Sequence, residues 1–321
     1  DLNADGKADV VAISVGSNKL YVLLGNGDGT TAAPRAYDTD RGPSAVVIAD
    51  VTGDGKADLL VTNYDAATVS LLPGNGDGTF NPQRTFNVGA GANALVAQDM
   101  NGDGKLDLVT ANYDANNVSV LINNGAGGFN TAKNYSTGSG TGPAAIAAGD
   151  FNADGHADVV TANADNNTVS FLQGSAVSAG ALNAAKSLGL GISKGSNAIL
   201  ARDLNGDGKL DVLTGNGDSG DLSLLSGKGD GTFNAAAVLA QTGYVSELLA
   251  VDLSGDGRAD LVFSGGSPGR VGMLYGFAGG VYSPSSRSLS LSGPIVAPDM
   301  NGDGKLDLIV GQNSGALLLH L

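Results

Sequence analysis

The residues of this chain able to do chemistry are aspartates, and they recur in one phrase, D-x-[N/T/S]-x-D-G-x-x-D. Seven copies place oxygen side chains at positions 1, 3, 5 and 9. These are Asp1, Asn3, Asp5 and Asp9; Asp50, Thr52, Asp54 and Asp58; Asp99, Asn101, Asp103 and Asp107; Asp150, Asn152, Asp154 and Asp158; Asp203, Asn205, Asp207 and Asp211; Asp252, Ser254, Asp256 and Asp260; and Asp299, Asn301, Asp303 and Asp307. Position 6 is glycine in every copy, where the chain must bend sharply, and the carbonyl of position 7 can turn inward. An oxygen-only ligand set on a flexible loop is what a hard cation requires, and calcium fits it better than magnesium, whose strict octahedron such loops do not favour. The spacing matches the first nine positions of an EF-hand loop. An EF-hand also needs a bidentate glutamate at position 12, and that position is never acidic, as Ala12, Val61, Thr110, Thr161 and Val310 show. Up to seven structural calcium ions are therefore expected. Position 7 is basic (Lys7, Lys56, Lys105, His156, Lys209, Arg258, Lys305), suited to soften repulsion between the carboxylates.

Composition excludes other chemistries. The formal charge is −15, and one divalent cation in each of seven loops would bring it close to neutral, so the acidity reads as metal-site charge. Glu247 is the only glutamate, cysteine is absent, and the two histidines sit at loop position 7 (His156) and beside the chain end (His320). The usual acid–base and nucleophilic constellations have little material, so no catalytic residue is assigned and the chain reads as a non-enzyme. There is no basic stripe for nucleic acid and no apolar run long enough for membrane insertion. Calcium loops of modest affinity fit a secreted or cell-surface protein, because calcium there is millimolar.

The first aspartates of successive copies lie 49, 49, 51, 53, 49 and 47 residues apart. That period belongs to propeller-type repeats rather than helical solenoids. In the second copy Ala45–Ala49 leads into the loop and Leu59–Thr62 leaves it. Residues 63–67 then form a turn, Thr68–Leu72 a third strand, Gly74–Gly78 a tight turn and Gln83–Val88 a fourth strand. Short β-branched runs between Gly, Asn and Asp clusters mark antiparallel meanders. The fold expected is all-β: a seven-bladed β-propeller of four-stranded antiparallel blades with a calcium loop in each repeat. One domain spans 1–321, with repeats near 1–43, 44–92, 93–142, 143–195, 196–244, 245–293 and 294–321. The first repeat lacks its first strand and the last its fourth, which predicts 26 strands and, upstream of Asp1, further residues that complete the first blade.

The loop, with the later G-N-G-D-G-T-F at Gly74–Phe80, resembles the FG-GAP or VCBS-type repeats of integrin α-subunit propellers and of many secreted proteins. The second motif recurs at Gly25–Thr31 and Gly227–Phe233, is eroded at Asn124–Phe129 and is lost at Gly174–Leu182. The resemblance implies that calcium is structural, bracing one face, while ligands meet the other face or the clefts between blades.

The turns after the second strands carry a second set of polar residues: Tyr64 and Asp65; Tyr113, Asp114, Asn116 and Asn117; Asp165, Asn166 and Asn167; and Asp218. Hairpin chemistry explains such residues. The functional reading joins them to Tyr244 and the lead-in loops at 41–43, Asn93, 142–143 and Asn197 as a recognition surface, in which amide and carboxylate groups bond sugar hydroxyls beside a tyrosine ring. The leading expectation is an adhesion or binding scaffold for an extracellular protein or glycan ligand. A carbohydrate-binding lectin with sites repeated between blades is the alternative, and a propeller lyase or glycosidase the third reading.

Overall fold

The computed structural model describes residues 1–125, 127–265, 270–277, 280–284, 293–311 and 317–320. Among them the chain is all-β, with one 3₁₀ turn at Val15–Ser17. Each repeat folds into an antiparallel meander whose strand order in space is its order in sequence. The second sheet is formed by Pro43–Ala49, Asp58–Asn63, Thr68–Leu72 and Arg84–Asn87. Four-stranded counterparts start at Ala92, Pro143, Ser196 and Glu247. The first sheet (Val10–Ser14, Lys19–Leu23, Arg35–Asp38) and the last (Ile295–Val296, Leu308–Gly311, Leu317–His320) have three strands, where the sequence places the shortfall. A two-stranded ribbon, Asn123–Gly125 with Gly128–Phe129, is the one addition to the 26 expected strands.

Burial follows strand position. In the four-stranded sheets second strands are buried along their whole length, as in Asp58–Asn63 and Asp107–Asn112, whereas fourth strands such as Arg84–Asn87 are largely exposed. A second strand is covered on both faces because side chains alternate between two neighbouring sheets. Leu59 and Val61 pack with Leu20 and Val22 of the first sheet, while Leu60 packs with Leu95 and Leu108 of the third. Fully burying one such leucine contributes about 1.5–3 kcal/mol. The same kind of cluster joins every consecutive pair of sheets, and one more brings Val10 of the first sheet against Met300 and Ile309 of the last.

Both ends of the second strand carry buried polar groups. Asp58, Asp107, Asp158, Asp211 and Asp260 begin it and Asn63, Asn112, Asn163 and Asn216 end it, all with no exposed surface. The sequence pattern assigns Asn63 to a turn. It instead closes the strand, because its amide donates to Ser70 Oγ at 2.8 Å across the hairpin.

Candidate functional site

The acidic loops join first and second strands. In the second repeat Asp50 Oδ1 accepts the N–H of Gly53 (2.7 Å) and Oδ2 that of Gly55 (2.8 Å), so one carboxylate fills the bend. The glycine at position 6 bonds position 1 in all seven loops, at 2.7–2.9 Å. It does so with φ between +79° and +83°, a region costly for any residue with a Cβ. Position 5 accepts the N–H of position 7, as in Lys56 to Asp54 at 3.0 Å and Lys305 to Asp303 at 2.8 Å. Position 3 joins in where it is asparagine, Asn101 Oδ1 accepting Asp103 N–H at 2.9 Å. The basic side chain of position 7 folds back onto position 5 in five loops, from 2.9 Å for Lys105–Asp103 to 3.8 Å for Lys209–Asp207. These pairs are exposed, so they offset repulsion more than they stabilise.

Position 9 behaves differently. Asp58 Oδ2 accepts Val51 and Thr52 N–H at 3.0 Å, and its Oδ1 accepts Gly74 N–H at 2.9 Å, tying the loop to the turn sixteen residues on. The same double bond is made by Asp9, Asp107, Asp158, Asp211 and Asp260. Asp307 holds Met300 N–H at 2.9 Å. The environments push the carboxyls apart. A backbone N–H from Lys7 and from Lys56 lowers Asp5 and Asp54, whereas burial raises Asp107 and Asp211 against their backbone bonds and carries Asp158 up to about 6.

Among the described residues no three acidic or imidazole groups already converge as a cage. The donor set nevertheless fits a hard cation. Positions 1, 3 and 5 line one exposed bend, and a carboxylate has about four lone-pair sites, so Asp50 and Asp54 keep acceptors beyond those their backbone partners use.

Position 2 was not singled out from the sequence, although it is always apolar: Leu2, Val51, Met100, Phe151, Leu204, Leu253 and Met300. An apolar residue between two polar ones was the available signal. The side chain inserts between sheets, and its carbonyl is gripped by the next repeat's glycine turn. Gly78 bonds Leu2 O at 3.1 Å, Gly180 Met100 O, Gly231 Phe151 O, and Gly29 Met300 O at 3.2 Å. In the third repeat, where that turn is eroded, the side chain of Asn123 bonds Val51 O at 2.8 Å. Six of the seven loops are thereby fixed by two sheets, Leu204 O being held by the Tyr282 hydroxyl.

At the other end of the second strands the structure pairs residues of adjacent repeats. Tyr64 OH donates to Asp114 Oδ1 at 2.8 Å and Tyr113 OH to Asp165 Oδ1 at 2.5 Å. Burial and the Asp114 bond raise Tyr64 to about 12; the Asp165 bond and burial do the same for Tyr113. Asn197 reaches Tyr244 OH at 3.4 Å. Asp65, Asp114, Asp165 and Asp218 lie against Gly42, Gly91, Gly142 and Gly195 of their own lead-in loops, too close for a Cβ there. The amides bond within the chain: Asn116 Oδ1 accepts Thr141 and Gly142 N–H, Asn167 Oδ1 accepts Gly195 N–H, Asn117 Oδ1 accepts Asn112 Nδ2, and the exposed Asn166 Oδ1 accepts Thr168 Oγ1. Of this set, Asp65, Asp114, Asp165, Asn166, Asp218 and Tyr244 are exposed, and Tyr64 and Tyr113 half-buried beside their carboxylates.

The sequence pattern of the FG-GAP-like repeat matches residues 1–61, 50–110, 99–161 and 162–263, and that of the FG-GAP repeat matches 142–181. The chain belongs to the FG-GAP-like repeat family. Its solved relatives share the repeat β-propeller fold. An Agrocybe aegerita lectin described as recognising non-reducing terminal N-acetylglucosamine is 24% identical, with a TM-score of 0.59, over 87% of this chain and 79% of the lectin. A putative 6-phosphogluconolactonase from Bacteroides fragilis is 18% identical, TM-score 0.70, over 98% and 94%. Virginiamycin B lyase from Staphylococcus aureus is 11% identical, TM-score 0.67, over 99% and 92%. At these identities the likeness carries the β-propeller fold alone and no activity. No curated protein matches the sequence.

Proposed function

We propose that this FG-GAP-like chain is a closed seven-bladed propeller, braced by calcium at one end and binding an extracellular protein or glycan at the other, without catalysis. The cluster that joins the first and last sheets, and the Gly29 to Met300 bond across it, support closure. Positions 1, 3 and 5 of each loop, with the carbonyl of position 7 and Asp58 or its equivalents, would hold the ion, which when bound supplies the countercharge the carboxylates need. The loop backbone does the rest: it orients the carboxylates through the N–H groups of positions 4 to 7 and transmits that order to the next sheet through position 2.

The observation that carries the binding role is the repeated tyrosine–carboxylate pair. A tyrosine ring beside a fixed carboxylate offers a stacking surface and hydrogen-bond acceptors at two successive repeats, which suits multivalent recognition. The lectin reading rests on the same pairs and on the Agrocybe lectin among the relatives. Secretion or surface display is supported by the calcium chemistry, and no helix among the described residues is long and apolar enough to cross a membrane.

A broad glycan array, probed in calcium and after chelation, tests this. Calcium-dependent binding to one sugar class, lost in Tyr64→Ala and Tyr113→Ala, puts the lectin reading first. Silence from folded protein leaves the protein-binding scaffold, and a turnover assay that returned product would overturn the non-catalytic reading.

A further inference from the structure

One cleft breaks the repeat. Between the fifth and sixth sheets, on the acidic-loop side, lies a cavity of about 370 Å³ whose walls include Arg202, Asp203, Asn205, Arg258 and Tyr282. Three of these are departures from the pattern. The residue before each first aspartate is Ala49, Gln98, Gly149, Val251 or Pro298 elsewhere, but Arg202 here; position 7 is lysine or histidine elsewhere, but Arg258 here; and Tyr282 stands where Phe80, Phe129, Leu182 and Phe233 stand in other repeats. The fold thus gathers into one cleft three changes that lie up to eighty residues apart in sequence.

Their partners say what the cleft can hold. The carboxylates nearby are engaged: Asp203 accepts N–H bonds from Gly206, Asp207 and Gly208, and Asp256 is paired with Arg258 at 3.1 Å. Arg202 has no such carboxylate. It donates instead to a neutral carbonyl, Ala250 O on the first strand of the sixth sheet, at 2.9 Å, and among the described residues no carboxylate pairs with it. Tyr282 turns its hydroxyl to Leu204 O at 3.3 Å and brings its ring to the wall. A guanidinium fork matches a carboxylate, an aromatic wall accepts the apolar face of a sugar, and the volume is in the range of small-molecule sites and exceeds what a bare anion fills.

We propose that this cleft binds a single sugar residue bearing a carboxylate, with Arg202 as its principal anion contact, Arg258 as a second donor and Tyr282 beside the ring. The site lies at the opposite end of the sheets from the tyrosine–carboxylate pairs, so it stands or falls separately from the recognition surface proposed above.

Titration of the folded protein, in calcium-containing buffer, with glucuronate, glucose and inorganic phosphate tests it by ligand-observed NMR and calorimetry. Glucuronate should bind at least about tenfold more tightly than either of the others, because glucose lacks the charge the site is built around and phosphate lacks the ring that Tyr282 faces. Arg202→Met should lose that margin. Should that variant not fold, Arg258→Lys restores the side chain that five other loops carry and keeps the fold, and, by removing the second guanidinium fork, it should weaken glucuronate several-fold. Equal binding of glucose or of phosphate, full affinity in both variants, or no glucuronate binding would each overturn the proposal.

Discussion

The two ends of the second strand in the second to fifth sheets solve the same problem by different means. Both begin with a buried polar side chain, an aspartate at the loop end and an asparagine at the turn end. Asp107 takes only N–H donors, from Met100 and Asn123, and keeps a charge that burial disfavours. Asn112 stands in a neutral ladder: Thr110 Oγ1 donates to its Oδ1 at 2.8 Å, and its Nδ2 reaches Asn117 and Ser119 Oγ, each at 2.7 Å. One end is left dependent on a countercharge and the other is self-sufficient. A buried polar network costs little when every member is satisfied and much when one is not. The second repeat shows the difference within the ladder itself. Val61 occupies the place of Thr110, and Asn63 Oδ1 is left without a partner.

The largest expected effect is on the loop end alone. With calcium about tenfold above its dissociation constant each site contributes about 1.4 kcal/mol, and seven about 10 kcal/mol. Chelation should therefore lower the melting temperature by more than about 10 °C. Hydrogen exchange should show Gly55 and Gly104 N–H losing protection before the amides flanking Asn112. Equal loss at both ends, or an unchanged melt in excess EGTA, would erase the contrast.

The next effect is its pH counterpart. Asp158 is raised to about 6 from an ordinary 3.8, so the folded state binds its proton more tightly than the unfolded chain. That stabilisation is complete below about pH 3.8 and disappears as pH rises through about 6, a change of up to about 3 kcal/mol. Asp107 and Asp211 are raised for the same reason and shift stability in the same direction. Urea midpoints of the chelated protein should be higher at pH 5 than at pH 7. A flat or rising profile would show that position 9 is charged at no cost.

At the neutral end, Asn112→Ala should cost about 2–3 kcal/mol in urea unfolding, since it strands Thr110 and Ser119 in a dry environment. A change under about 0.5 kcal/mol would remove the ladder from the account. The smallest effects are gains in the second repeat. Val61→Thr supplies the hydroxyl Asn63 lacks and should add about 1 kcal/mol. Ala67 adopts φ +54° where Asn18, Asn116 and Asn167 stand in other repeats, each bonding the next lead-in loop. Ala67→Asn should add about 0.5–1 kcal/mol by relieving a left-handed residue and restoring that clip. Should neither variant raise the melt, the differences between repeats are neutral drift.

Much of this was legible beforehand because it is periodic. The acidic phrase announced the loops, the 50-residue period announced successive meanders, and the missing strands fell where the first and last copies run short. The basic side chain at position 7, which the pattern pointed outward to soften repulsion, folds back on position 5 in five loops. The buried Thr110–Asn112–Ser119 ladder escaped notice because polar residues at a strand end read as the start of a turn. Only burial between two neighbouring sheets shows them to be core.

The sequence by itself determined the repeat, the strand alternation and the oxygen chemistry of the loops, because each depends on contacts within some twenty residues. The tertiary structure alone decided which polar side chains face each other across repeats. Tyr64 meets Asp114 and Arg202 meets the wall carrying Tyr282 because sheets about 50 residues apart in sequence pack face to face, and no local pattern records that register.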